Sequence, residues 1–207
     1  ILEEIRGRLL NLYHSWGYDL VIPPLLEFTE SLLHAAGEDL ELLTFRTVDQ
    51  LSGRIMGVRP DITPQIARID ARNFTNPGPN RLCYSGTVLH TRARDPMSSR
   101  TPISIGLELF GENSINADIE VVSLFLESLR VNKVEHVCLD LGHVDICRGL
   151  LSAANLEREQ KAEFYGILQR KAVLEMEQWV DQHVIDERLS TWLLMLPDLI
   201  GDKEILD

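Results

Sequence analysis

Arg59-Pro60-Asp61-Ile62-Thr63-Pro64-Gln65 is the stretch on which the fold turns. Pro60 ends the β-rich segment that runs to Val58, because it has no N–H to give to a sheet. Asp61 then offers a carboxylate from the loop. Thr63 is a strong N-cap and Pro64 falls where a first helical turn tolerates a missing N–H, so a helix is expected to start here. A carboxylate beside helix-terminal N–H groups suits an amino-acid-like ligand carrying both charges. Taken alone, the same residues more readily describe a well-capped helix with a solvated aspartate. The flanking sequence has to separate the two.

Upstream, residues 1–16 place Leu2, Ile5, Leu9, Leu12 and Trp16 on one stripe of an amphipathic helix, which Gly17 ends. Tyr18–Ile22 reads as a strand stopped by Pro23-Pro24, a pair tolerated at a sheet edge. A short helix capped by Thr29 is expected to run to Gly37, and Thr44–Asp49 with Arg54–Val58 to form a hairpin across Leu51-Ser52-Gly53. Downstream, Arg81–His90 and Ile103–Gly111 answer each other as a long antiparallel pair around a polar loop holding Arg92, Arg94 and Arg100. A helix over 117–130 follows, and Val137–Leu141 is expected to close the sheet. From Asp145 the chain reads helical and acidic, with turn signals near Asn155 and Pro197. The expected division is a core over 1–144 and a helical subdomain over 145–207.

With 207 residues, 44% hydrophobic and 25% charged, the chain has the composition of an ordinary globular protein. A formal net charge of −12 argues against a general nucleic-acid binder, since a polyanion needs cations to displace its counterions. The longest apolar runs, such as Trp192–Leu196, are far too short to span a bilayer. Cys83, Cys138 and Cys147 form no CxxC pair and read as reduced, buried thiols of a cytoplasmic protein, with no metal site and no cofactor called for. Ile1 stands where a start methionine would, and 200–207 reads as the opening of a helix, so truncation at both ends is expected.

The order of these pieces resembles the class II aminoacyl-tRNA synthetases, and histidyl-tRNA synthetase most closely. Gly17–Glu27 is similar to the first class II motif, Arg59-Pro60-Asp61-Ile62-Thr63 to the family's Arg-Pro-Glu-x-Thr loop, and Tyr84–Gly111 to the second motif with its closing Gly-x-Glu-x-Phe-Gly. The resemblance implies an α+β fold, an antiparallel sheet flanked by helices, with a helical C-terminal segment as an insertion and the third motif missing. It also implies a homodimer through residues 1–28. It implies an amino-acid pocket at Asp61, Thr63 and Glu108, with Ser104 where the family has a glutamine.

The departures lie on the nucleotide side. Where the family carries the arginine whose planar fork holds the ATP α-phosphate, this chain has His90; where it carries a glutamate two residues on, the chain has Arg92. A degenerate ATP site beside a retained amino-acid pocket resembles the regulatory subunits of the short-form ATP phosphoribosyltransferases. That likeness implies no catalysis by this chain. It implies a separate catalytic subunit as partner, L-histidine as effector, and a part in the first step of histidine biosynthesis. The alternatives are an active histidine-activating synthetase, or a paralogue binding an amino acid or another protein. For the arginine loop, a solvated loop is the plainer reading. His14, His34 and His90 lack the clustered spacing of metal ligands, and Trp179 and Trp192 read as core or subunit contact.

Overall fold

The structure is a computed structural model that describes residues 1–34, 37–73, 78–93 and 95–202. Expectations that fall on residues 35–36, 74–77, 94 and 203–207 lie outside the described residues. The chain divides into two compact units, Ile1–Val137 and Cys138–Asp207.

The first unit opens with α1, Leu2–Ser15, whose Leu9 and Tyr13 are buried. Gly17 takes a left-handed φ of +85°, which lets its N–H donate to His14 O at 3.0 Å while Tyr18 N–H donates to Tyr13 O at 3.0 Å. These two bonds are the Schellman closure that a glycine after a helix allows. The strand expected over 18–22 shortens to β1, Asp19–Leu20, parallel to a later strand and cut off by the two prolines. Leu26–Phe28 forms β2, which the sequence reading did not separate from its surroundings. Helix α2, Thr29–Leu32, begins at Thr29 but is not capped by it: the Thr29 hydroxyl donates to Ile55 O instead. A second short helix, α3 at Glu38–Leu43, leads into the expected hairpin of β3, Phe45–Val48, and β4, Ile55–Val58. β2, β4 and β3 make one antiparallel sheet in that order.

Helix α4 runs over Thr63–Asn73. Its first carbonyl acceptor is Ile62 O, which takes the Ile66 N–H at 3.1 Å, so Ile62 is the N-cap and Thr63 the first helical residue. The capping oxygen comes from Asp61, whose Oδ1 accepts from Ile62 N at 2.7 Å and Thr63 N at 3.4 Å. Thr63 is thereby released from the cap that its position suggested.

β5, Asn80–Thr87, and β6, Ile103–Phe110, form the long hairpin, and with β1 a second sheet in the order β1-β5-β6. Strand alternation sends Cys83, Ile105 and Leu107 towards α1 and towards α5, Ile115–Val131; there they pack with Leu9, Tyr13, Tyr18 and Leu124. Leu82 and Tyr84 face the other way, onto the N-cap Ile62 and onto Ile66 of α4. Val137–Leu141 is not a strand: no partner pairs with it among the described residues, and the exposed Val137, Leu139 and Leu141 carry only the alternation that suggested one. Without a sheet to cover it Cys138 is exposed, contrary to expectation, whereas Cys83 and Cys147 are buried.

The second unit is helical, with α6 at Val144–Ala153, α7 at Arg158–Gln169, α8 at Val173–His183, α9 at Glu187–Met195 and a 3₁₀ turn at Leu196–Asp198. Its core gathers Leu151, Phe164, Ile167, Met176, Trp179, Val180 and Leu193. Trp179 is a core residue that donates its indole N–H to Glu163 at 2.9 Å, whereas Trp192 is exposed under the Arg188 guanidinium. Among the described residues no helix is long and apolar enough to cross a membrane.

Candidate functional site

The hairpin register sets Leu82 opposite Glu108, Tyr84 opposite Gly106 and Gly86 opposite Ser104. Successive side chains point to opposite faces, so these six positions share the face that α4 covers. Onto them α4 brings its first residue. The Thr63 hydroxyl donates to Glu108 Oε1 at 2.9 Å and lies 3.0 Å from the Tyr84 hydroxyl. A carboxylate only accepts, so with Glu108 ionised the Tyr84 O–H donates to Thr63 and the Thr63 O–H to Glu108.

Burial pushes the Glu108 carboxyl above the usual carboxylate range; the Thr63 hydrogen bond pulls it back, and the Asp61 charge adds to the rise. Burial also raises the Tyr84 phenol. Asp61 and Glu108 flank Thr63 from two sides, Asp61 Oδ1 accepting from its N–H and Glu108 Oε1 from its hydroxyl. Ser104 stands beside the Tyr84 hydroxyl and makes no hydrogen bond to Glu108. Two carboxylates that repel one another across a half-buried site favour a ligand group bearing positive charge, such as an ammonium or an imidazolium.

α4 is tied down from its far side. Glu27 of β2 receives Arg68 Nη2 at 2.6 and 2.5 Å and Gln65 Nε2 at 2.8 Å, and the same Gln65 nitrogen donates to Pro24 O at 2.9 Å. The helix that delivers Asp61 and Thr63 is thus anchored to the neighbouring sheet.

His90 lies apart from this group. It is 5% exposed, and its Nε2 sits 2.9 Å from Pro60 O. A carbonyl can only accept, so that nitrogen carries the hydrogen. The His90 backbone is locked as well, N–H to Arg100 O at 2.8 Å and O from Arg100 Nε at 3.0 Å. Arg92 is exposed, at a shallow cleft with Asp39, Leu43 and Ala93. Arg100 lies over the Phe45 ring.

Two residues escaped the sequence reading. Tyr84 completes the Thr63–Glu108 contact. Arg59, 6% exposed, donates Nε to Thr87 O at 3.0 Å and Nη1 to Pro23 O at 2.8 Å, with its guanidinium against Gly86. The available signal was the pair of glycines, Gly86 and Gly106, on one face of the long hairpin.

A family model described as histidyl-tRNA synthetase matches residues 1–207. A relative from Cellvibrio japonicus, named ATP phosphoribosyltransferase regulatory subunit, is 50% identical over 206 residues, 100% of this chain and 52% of its own. One of the same name from Saccharophagus degradans is 48% identical over 205 residues, 99% of this chain and 52% of its own. This chain spans about half the length of the curated relatives it matches. Among solved structures, an ATP phosphoribosyltransferase regulatory subunit/histidyl-tRNA synthetase from Bacillus halodurans superposes with a TM-score of 0.83 at 24% identity, covering 99% of this chain and 53% of that one. The α+β, class II synthetase-like fold expected from the motifs is the fold found. This chain belongs to the histidyl-tRNA synthetase family, and its curated relatives at 48–50% identity are named ATP phosphoribosyltransferase regulatory subunits.

Proposed function

We propose that this chain is part of a non-catalytic regulatory subunit of a short-form ATP phosphoribosyltransferase. In this reading it binds L-histidine in the Asp61–Thr63–Glu108 pocket, with Ser104 at its edge, and transmits the effector's presence to a separate catalytic subunit. It acts in the cytoplasm, on the first step of histidine biosynthesis, and takes 145–207 as a helical insertion in a synthetase-like core. The names of the relatives support the assignment.

The observation that carries the non-catalytic part is the commitment of His90. Where a synthetase needs a charged fork aimed at the ATP phosphate, this chain has a buried imidazole whose Nε2–H is spent on Pro60 O. Arg92, in place of a glutamate, points its charge into solvent instead of receiving a nucleotide. A homodimer through residues 1–28 is part of the same proposal. Its support is the run of exposed apolar side chains Leu2, Trp16, Leu20, Ile22, Leu25 and Leu26 within that segment.

The test is reconstitution of the full-length protein with a short-form catalytic subunit. The expected result is activation, inhibition by histidine, and no histidine-dependent exchange of pyrophosphate into ATP by the protein alone. Asp61→Ala and Glu108→Ala should each shift the inhibitory histidine concentration about tenfold or more, since each removes a charged hydrogen bond of roughly 1.5–3 kcal/mol. Exchange at synthetase-like rates, or no activation, refutes the assignment.

A further inference from the structure

Glu108 is half-buried, and among the described residues its one side-chain donor is the Thr63 hydroxyl at 2.9 Å. A hydroxyl that accepts a hydrogen bond becomes a better donor, because each bond in a chain polarises the next. The Tyr84 oxygen lies 3.0 Å from that same Thr63 oxygen. Its place is cut into the strand opposite: a Cβ added at Gly106 would lie 2.5 Å from the Tyr84 oxygen and 2.6 Å from Cζ. The space for the phenol thus comes from the residue two before Glu108, on the same face of the same strand.

From this geometry we propose that Tyr84 is a positioning residue of the effector site: its hydroxyl, donated to Thr63, turns the Thr63 proton onto Glu108 and holds that carboxylate charged for a cationic ligand group. The inference rests on the reading of Asp61 and Glu108 as a ligand pocket. The groups facing Glu108 are Asp61 and Thr63 from the start of α4 and Tyr84 from β5, with Ser104 further along β6. Asp61 opposes ionisation of Glu108 and the Thr63 bond favours it, so the relay works against both Asp61 and burial. Arg59, on the Gly86 end of this face, is engaged by Thr87 O and Pro23 O.

The test uses the full-length protein with carbon-13 at the glutamate carboxyls, and Glu108→Gln to assign the Glu108 resonance. In the ligand-free protein, Tyr84→Phe keeps the ring over Gly106 and removes only the hydroxyl, and Glu108 is expected to titrate at higher pH than in the wild type. Thr63→Ser, which keeps the hydroxyl, should leave the titration in place. L-histidine binding followed by calorimetry should weaken about five- to tenfold in Tyr84→Phe near neutral pH, the loss of one neutral hydrogen bond. The acid limb of its pH profile should move up with Glu108. Placing 3-fluorotyrosine at 84, a stronger donor of nearly unchanged shape, should move the Glu108 titration down. A Glu108 titration that ignores both changes overturns the proposal, even if histidine binding falls. A wild-type protein that fails to bind histidine, while Glu108 responds as described, refutes the effector assignment and leaves the relay standing.

Discussion

Replacing Arg59 by methionine tests how the site loop is held. The guanidinium is 6% exposed and donates to two carbonyls, Thr87 O at 3.0 Å and Pro23 O at 2.8 Å. It therefore joins the end of β5 to the loop before β2, while the Arg59 carbonyl accepts from Leu89 N at 3.1 Å. Methionine fills much of the same volume but leaves both carbonyls without their donor, at about 1–3 kcal/mol each. Against this stands the relief of an awkward cation. Burial lowers the Arg59 pKa, with the Glu27 charge only partly compensating, so the charged form is held at a cost. The two effects together leave a net loss of about 2–4 kcal/mol, which would lower Tm by roughly 5–15 °C in a chain of 207 residues and by less in the longer full-length protein. Urea unfolding of the full-length protein should show the midpoint falling with an unchanged slope. The geometry also predicts a coupling. A Cβ at Gly86 would run into the Arg59 guanidinium, so Gly86→Ala should be costly in the wild type and much milder beside Arg59→Met. The expected interaction is about 1–3 kcal/mol in the double-mutant cycle. An Arg59→Met variant within about 0.5 kcal/mol of wild type, or additive effects in the cycle, would refute the reasoning.

Three further outcomes are expected from the same structure. Glu108 has a folded pKa raised by burial, so the fold favours its protonated form; that advantage is complete below the ordinary carboxylate pKa and lost as pH rises through the folded value. Glu108→Gln should therefore raise the ligand-free Tm more at about pH 7.5 than at about pH 4, while weakening effector binding. Glu120 has the opposite sign: its bidentate contact with Arg81, at 2.6 and 2.7 Å, and the Tyr18 hydroxyl at 3.0 Å hold its pKa down. Its contribution is present above the ordinary carboxylate pKa and fades as pH falls through the folded value, so Glu120→Gln should cost about 1–2 kcal/mol at neutral pH and less in acid, read by chemical unfolding. Asp186 caps α9 through Arg188 N at 2.9 Å and Leu189 N at 3.1 Å, so Asp186→Ala should cost about 1 kcal/mol in the same measurement.

What sequence revealed and what it hid divides along the range of the forces involved. The end of α1 was legible because Gly17 supplies its own left-handed turn. The β5–β6 hairpin was legible because two long strand-like runs flank one polar loop and pair as neighbours in the sequence. Thr63 was misplaced as a cap: local preference favours that role, but a carboxylate 45 positions later takes its hydroxyl. β2 went unseen since three residues become a strand only when β4 lies alongside. The alternation of Val137–Leu141 promised a strand, and pattern without a hydrogen-bonding neighbour did not make one. Asp61, Thr63 and Glu108 were placed by family likeness. Tyr84 and Arg59 required the fold, because what makes room for each is a glycine on a strand, Gly106 across the ladder for one and Gly86 for the other.

The fit of Tyr84 over Gly106 also constrains how this protein can diverge. With the phenol oxygen 2.5 Å from where any Cβ at 106 would stand, position 106 is not free to enlarge while Tyr84 is unchanged. A single-step path to a larger residue at 106 runs through a displaced tyrosine and a Glu108 deprived of its partner chain. The accessible route shrinks residue 84 first, which gives up the hydroxyl relay before the steric barrier falls. In a collection of related sequences the two positions should accordingly change as a pair, tyrosine travelling with glycine, and lineages that have abandoned the pair should be those that have also abandoned the ligand.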